Sequence, residues 1–136
     1  MNDTHAPRDI FQVIEALNLP KDQFVIVGGG VLSALGIQEW NGDVDLSVSE
    51  DTFEHFKQQG WHQEQEATKV VLKHDDYDMG VGFGKWSLAD LQADALIIQG
   101  VPFISLEKIL EWKKQANRPK DSRHIELIEQ YLKTHQ

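Results

Sequence analysis

Two aspartates, Asp43 and Asp45, stand two residues apart in the run Asp43-Val44-Asp45-Leu46-Ser47-Val48. Side chains alternate across a β-strand, so both carboxylates are expected on one face while Val44, Leu46 and Val48 point into a core. Carboxylates side by side repel and raise each other's pKa unless something positive lies between them. A divalent metal is the usual solution, and hard oxygen ligands suit Mg²⁺ or Mn²⁺. Taken alone the pair also reads as two solvated acids on an exposed strand face. The preceding residues favour chemistry. An apolar run, Phe24-Val25-Ile26-Val27, leads into Gly28-Gly29-Gly30 and then a short helical segment, Val31 to Leu35, ended by Gly36. Glycines there let a ligand approach the backbone, and the following helix offers N–H groups to phosphate. A strand, a glycine turn and a paired-aspartate strand together suggest a metal-assisted nucleotide site. There is no GxGxxG fingerprint, and no GK[ST] follows the glycines.

Two-metal phosphoryl chemistry usually needs a third carboxylate. Residues 69–83, KVVLKHDDYDMGVGF, read as two strands, Val70-Val71-Leu72 and Met79 to Phe83, around a turn at Asp75-Asp76. Asp75 and Asp76 are most simply turn residues. Asp78 falls within the second strand, where an unpaired buried acid would be costly. It is the preferred third carboxylate, with Asp76 the alternative. Gly80 and Gly82 share its face and leave room for a bulky ligand. His74 reads as a solvated residue beside the turn.

These residues need a scaffold, and the periodicities supply one. Residues 8–18 predict an opening helix, with Ile10, Phe11, Ile14 and Leu17 at helical spacing. Phe24–Val27 and Asp43–Val48 are the first two strands. Ser49 caps a helix running through Phe53 and Phe56 to Gly60. Residues 86–91 are ambiguous. Ala95–Ile98 and Pro102–Ile104 flank Gln99-Gly100 as a hairpin. Ser105 caps a helix from Leu106 to about Ala116, Asn117-Arg118-Pro119 breaks it, and Asp121 to Thr134 is the last helix. This order argues an α+β fold with a mixed sheet, helices packed against it and a C-terminal helix pair. The four tryptophans, Trp40, Trp61, Trp86 and Trp112, read as packing residues, although Trp40 is placed to stack a base.

At 136 residues the chain is expected to be one domain, 1–136. No apolar run approaches membrane-spanning length, and the first ten residues, MNDTHAPRDI, lack an apolar signal core. There is no cysteine, which excludes disulfides and thiolate metal sites and fits a cytoplasmic protein. Net charge is −9 but uneven. Residues 1–104 carry 6 basic and 17 acidic groups, residues 105–136 carry 7 and 5. Non-specific nucleic-acid binding by the whole surface is therefore disfavoured. The local basic cluster Lys113, Lys114, Arg118, Lys120 and Arg123 reads either as a charge-balanced helix pair or as cations that reach over the acidic site to hold polyphosphate.

Gly29-Gly30, twelve residues, then Asp43-Val44-Asp45-Leu46 resembles the glycine-plus-DxD pattern of the nucleotidyltransferase superfamily with a DNA polymerase beta-like palm. The ending Val101-Pro102-Phe103-Ile104-Ser105, Leu106-Glu107-Lys108-Ile109-Leu110, Lys113-Lys114 and Arg118-Pro119-Lys120-Asp121 is similar to that of small stand-alone members, including the lincosamide, aminoglycoside and toxin-type minimal enzymes. The resemblance covers about residues 24–131. It implies transfer of a nucleoside monophosphate from an NTP to a hydroxyl, with release of pyrophosphate. Asp43, Asp45 and Asp78 would bind Mg²⁺ or Mn²⁺. Gly28, Gly29 and Gly30, with Lys113, Lys114, Arg118 and Lys120, would hold the nucleotide. A small molecule, an antibiotic or a tRNA end would be the acceptor, and a homodimer would complete the pocket. Two positions depart from the pattern: Gln38 stands where many relatives carry Arg, and His124 where they often carry Asp. The alternative is a catalytically inactive nucleotide-binding or regulatory module of toxin–antitoxin type. A metal-dependent phosphohydrolase shares the acids but is a weaker fit, since the chain lacks an HD-type His-Asp metal motif and a nucleophilic Asp motif.

Overall fold

Phe24–Val27 is buried on both faces, and everything else is arranged around it. The computed structural model describes residues 9–67 and 69–135. The elements are α1 (Ile10–Ala16), β1 (Phe24–Val27), α2 (Gly30–Ala34), β2 (Val44–Val48), α3 (Glu50–Gln58), β3 (His62–Glu66), β4 (Lys69–His74), β5 (Tyr77–Gly80), α4 (Leu88–Ala93), β6 (Leu96–Ile98), β7 (Val101–Phe103), α5 (Leu106–Ala116) and α6 (Ser122–Thr134). Seven strands form one mixed sheet in the order β3-β4-β5-β2-β1-β7-β6. The expected α+β architecture with a C-terminal helix pair is therefore present. No helix among the described residues is long and apolar enough to cross a membrane.

Local chemistry sets the boundaries. Asp9 caps α1 reciprocally with Gln12, so the expected helix over 8–18 is shorter; Arg8 and the residues before it lie outside the described residues. Ser49 and Ser105 cap α3 and α5 through the backbone N–H groups of Thr52 and Lys108. Asn117 takes a left-handed conformation that ends α5. Gln99 and Gly100 both have positive φ, 50° and 78°, as a tight two-residue hairpin turn requires. The core lies between sheet and helices, with Phe24, Ile26, Leu32, Leu46, Met79 and Phe103 fully or almost fully buried.

Two expectations on strands change. The strand expected over Met79–Phe83 is Tyr77–Gly80, because Gly82, at φ +78°, turns the chain and Phe83 bridges to Trp86. The Gly82 N–H donates instead to the buried Ser47 hydroxyl at 2.9 Å. Sequence reading also missed β3. Its run, His62-Gln63-Glu64-Gln65-Glu66, has no apolar alternation, since it lies at the edge of the sheet and is held by backbone pairing to β4.

Candidate active site

β2 runs antiparallel to β1 and parallel to β5, with Val27 opposite Asp45 and Asp45 opposite Asp78. The hairpin between β4 and β5 places Lys73 opposite Asp78. One row across the sheet therefore reads His62, Lys73, Asp78, Asp45, Val27. This row is the centre of the site.

A cleft of about 270 Å³ opens over it, lined among others by Gly29, Gly30, Asp43, Asp45, Lys73 and Asp78. Ser33, Gln38, Trp40, Asn41 and the turn residues Asp75 and Asp76 complete its rim. The expected coming-together of the glycine turn with Asp43, Asp45 and Asp78 is thus observed. Trp40 fixes the approach to β2, donating its ring N–H to the Asp43 carbonyl at 2.8 Å. The Asp76 carbonyl accepts from the Val44 N–H at 2.8 Å, which docks the β4–β5 turn on the start of β2.

The three glycines sit in different surroundings. Gly28 sits at φ +68°, and a Cβ there would fall 2.4 Å from the Asp45 Oδ2. The Asp45 carboxylate occupies the space a side chain would take. Gly30 lies under the core, where a Cβ would meet Ile26 at 2.9 Å and Ile10 at 3.1 Å. Gly29 has room, with Gln38 Nε2 3.5 Å away.

Among the described residues the Asp45 carboxylate makes no hydrogen bond or ion pair. Burial, then the charges of Asp78 and Asp43, push its pKa up to about 6. Asp78 is instead held by Lys73, at 3.2 Å, which also reaches Glu66 at 3.1 Å and Glu64 at 3.7 Å. Hydrogen bonds to Glu66 and Asp78 raise the Lys73 pKa above its ordinary value. No three Asp, Glu or His side chains among the described residues are gathered closely enough to enclose a metal ion as they stand. Lys73 already pairs with one of the three expected carboxylates, Asp78. Asp43 and Asp45 nevertheless fit a divalent cation. They are hard oxygen donors on one face, and the Gly28 backbone lies against Asp45 with nothing to displace it.

Lys73 is the cleft residue that sequence reading missed. The signal was available, since a two-residue turn at Asp75-Asp76 pairs 74 with 77 and therefore 73 with 78.

The basic residues expected over the acidic site are placed elsewhere. Lys113 is buried and 3.1 Å from Asp121, whose other oxygen accepts from Arg118 Nε at 2.6 Å. Burial works to raise the Asp121 carboxyl, but Arg118 and Lys113 together outweigh it and hold it below its ordinary value. Lys114 pairs with Glu129 at 2.8 Å. None of Lys113, Lys114, Arg118 and Lys120 lines the acidic cleft. Asp121 turns Lys113 and Arg118 into a clasp between α5 and α6. His124, 3.3 Å from Lys113, has its pKa lowered by burial and then by that ammonium.

A second cleft, of about 420 Å³, meets the first at Asp45 and Asp78. Its walls include Glu66, Lys69, Gly80, Gly82, Phe83 and Trp112. The room expected beside Gly80 and Gly82 is here. Arg118 stacks on the Trp112 ring, 4.8 Å from its centroid, so the α5–α6 clasp buttresses this wall.

The chain superposes on the crystal structure of the aminoglycoside nucleotidyltransferase ANT(2")-Ia in complex with adenylyl-2"-tobramycin. The match covers 91% of this chain and 86% of that one, with a TM-score of 0.54 and 17% identity. The fold is nucleotidyltransferase-like. No protein-family model and no curated protein sequence matches the chain.

Proposed function

We propose that this nucleotidyltransferase-like chain is a metal-dependent enzyme that transfers a nucleoside monophosphate from an NTP to a hydroxyl. The carrying observation is the parallel pairing of β2 with β5, which sets Asp45 beside Asp78 in a cleft shared with Asp43 and the glycine turn. Asp43 and Asp45, with Asp78, would hold Mg²⁺ or Mn²⁺, which supplies charge neutralisation for the triphosphate. The Gly28–Gly30 backbone would lie against the phosphates. The acceptor oxygen forms a bond to the α-phosphorus and the bond from that phosphorus to pyrophosphate breaks. Asp78, which lines both clefts, takes the hydroxyl proton.

The second cleft is the acceptor side of this reading. Its volume is that of a small-molecule pocket, and its acids, Glu66, Asp45 and Asp78, beside the Trp112 and Phe83 rings suit a cationic small molecule. An aminoglycoside or lincosamide is such a molecule, and a tRNA end is the polymer alternative. A homodimer would extend a pocket this open.

A binding-only module is the second reading. It is favoured by the ion pair that occupies Asp78 and by the engagement of Lys113 and Arg118 with Asp121. Incubation with each α-labelled NTP and Mg²⁺, against aminoglycosides, lincosamides and bulk tRNA, separates the two. The enzyme reading expects labelled acceptor that vanishes in D43N/D45N. NTP-dependent stabilisation without transfer to any acceptor would favour the module.

A further inference from the structure

Lys73 is the only cationic side chain among the described residues that lines the acidic cleft. It is a third exposed and bridges two acids, Asp78 at 3.2 Å and Glu66 at 3.1 Å. It thus reaches one of the carboxylates that the proposed function gives to a divalent ion. The other charges facing it are Glu64 from β3 and, beyond Asp78 along the row, Asp45 from β2. A long flexible stem with three rotatable donors can leave one anion for another without moving the strand that carries it. Gln38, across the same cleft, is neutral, so a triphosphate entering there meets no other side-chain cation.

We propose that Lys73 is a two-position cation. Without ligand it stands in for the metal at Asp78; when a divalent ion takes Asp78, its ammonium group turns to the phosphates of the nucleotide. This rests on the reading of the cleft as a metal–nucleotide site. Lys73 then has two effects of opposite sign. It competes with the metal in the nucleotide-free protein, and it helps to hold the nucleotide once the metal is bound.

Opposite signs make the test selective, because structural damage weakens both kinds of binding. Mn²⁺ affinity is measured by titration calorimetry without nucleotide for the unaltered protein, Lys73→Gln and Lys73→Arg. Lys73→Gln is expected to bind Mn²⁺ about tenfold more tightly than the unaltered protein, since a resident charge has been removed from the ligand set. Lys73→Arg, which keeps the charge, is expected to stay near the unaltered value. With Mn²⁺ saturating, Lys73→Gln is expected to bind a non-hydrolysable ATP analogue about tenfold more weakly. Amine acylation of the unaltered protein, read by mass spectrometry, covers the case in which Lys73→Gln does not fold. Labelling of Lys73 is expected to rise with Mg²⁺ alone and to fall again when the analogue is added, with the exposed Lys85 as internal reference. Mn²⁺ binding by the unaltered protein with no gain in Lys73→Gln, or Lys73 labelling that ignores Mg²⁺, overturns the two-position cation alone. Absence of Mn²⁺ binding from all three proteins overturns the metal–nucleotide reading beneath it.

Discussion

Replacing the three glycines one at a time with alanine is expected to give three different results, and the contrast tests the geometry of the site. At Gly28 the alanine must hold φ near +68°, which costs an L-residue about 1–2 kcal/mol. Its Cβ would also lie 2.4 Å from Asp45 Oδ2, whereas ordinary contact begins at 3.4 Å. The carboxylate must retreat by about 1 Å, a displacement that in a reacting site costs on the order of 100-fold in rate. Gly28→Ala should therefore lose metal and nucleotide binding while melting only roughly 4–8 °C lower. At Gly29 the backbone is already right-handed, φ −81°, and the nearest atom is Gln38 Nε2 at 3.5 Å. A weaker N-cap and a stiffer unfolded chain oppose each other there, so that substitution is expected to change stability by no more than about 1 kcal/mol and to leave binding intact. At Gly30 the new methyl group meets Ile26 at 2.9 Å and Ile10 at 3.1 Å, both in the core. Overpacking there is expected to cost about 1–3 kcal/mol with binding retained in the folded fraction. Urea melts give the stabilities, and Mn²⁺ titrations below each transition give the binding. Unchanged Mn²⁺ affinity in Gly28→Ala, or its loss in Gly29→Ala, would refute the assignment of Gly28 as the cradle of Asp45.

Three further outcomes follow from the charges and hydrogen bonds. Asp45 binds its proton more tightly when folded, with a pKa raised from 3.8 to about 6, so its stabilising contribution is full below pH 3.8 and is lost as pH rises through about 6. Asp45→Asn should accordingly melt higher than the unaltered protein at pH 8 in chelator, by on the order of 1–2 kcal/mol after solvent screening, with the gain closing towards pH 4. Asp121→Asn leaves the buried Lys113 ammonium uncompensated and is expected to cost about 3–5 kcal/mol in urea melts, part of it recovered by adding Lys113→Met. Ser47→Ala strips the Gly82 N–H of its acceptor and should cost about 1–2 kcal/mol with an unchanged denaturant slope.

Much of the site was legible in the sequence because it is built from strand parity and glycine. The two-residue period put Asp43 and Asp45 on one face and buried Val44, Leu46 and Val48, as observed. Serine caps located the starts of two helices to the residue. The α4 helix was just as readable, since Ser87 and Asp90 form a reciprocal cap, but its short apolar pattern hid it. Other features depend on partners distant in sequence. Nothing local says that β2 and β5 run parallel, so the sequence could suggest Asp78 but not its register with Asp45. The basic cluster was open to two readings because composition does not show which carboxylate a lysine will meet. Asp121, eight residues beyond Lys113, meets it only after the chain turns at Asn117 and Pro119.

The charge row across the sheet locates the need for a cation more sharply than any motif. Like charges directly opposite each other on neighbouring strands are destabilising, and Asp45 faces Asp78 across the β2–β5 pair. On the β4 side the conflict is relieved, because Lys73 sits opposite Asp78 and bonds to it. On the β1 side there is no such relief, because the residue opposite Asp45 is Val27. The row is therefore one positive charge short at Asp45. That is also where Asp43 adds a further negative charge and where Gly28 keeps the space beside the carboxylate free of any side chain. If the row served the fold alone, an asparagine at 45 would keep the β-pairing and remove the repulsion. A sequence that instead keeps an acid there, with a third acid beside it and a glycine held at positive φ against it, sacrifices stability at a point where a cationic ligand would restore it. Divalent metal should consequently raise the melting temperature of the unaltered protein at pH 8, fail to do so in Asp45→Asn, and lose its effect as pH falls through about 6. A metal-induced shift that survives in Asp45→Asn would move the cation away from this row and with it the chemistry proposed here.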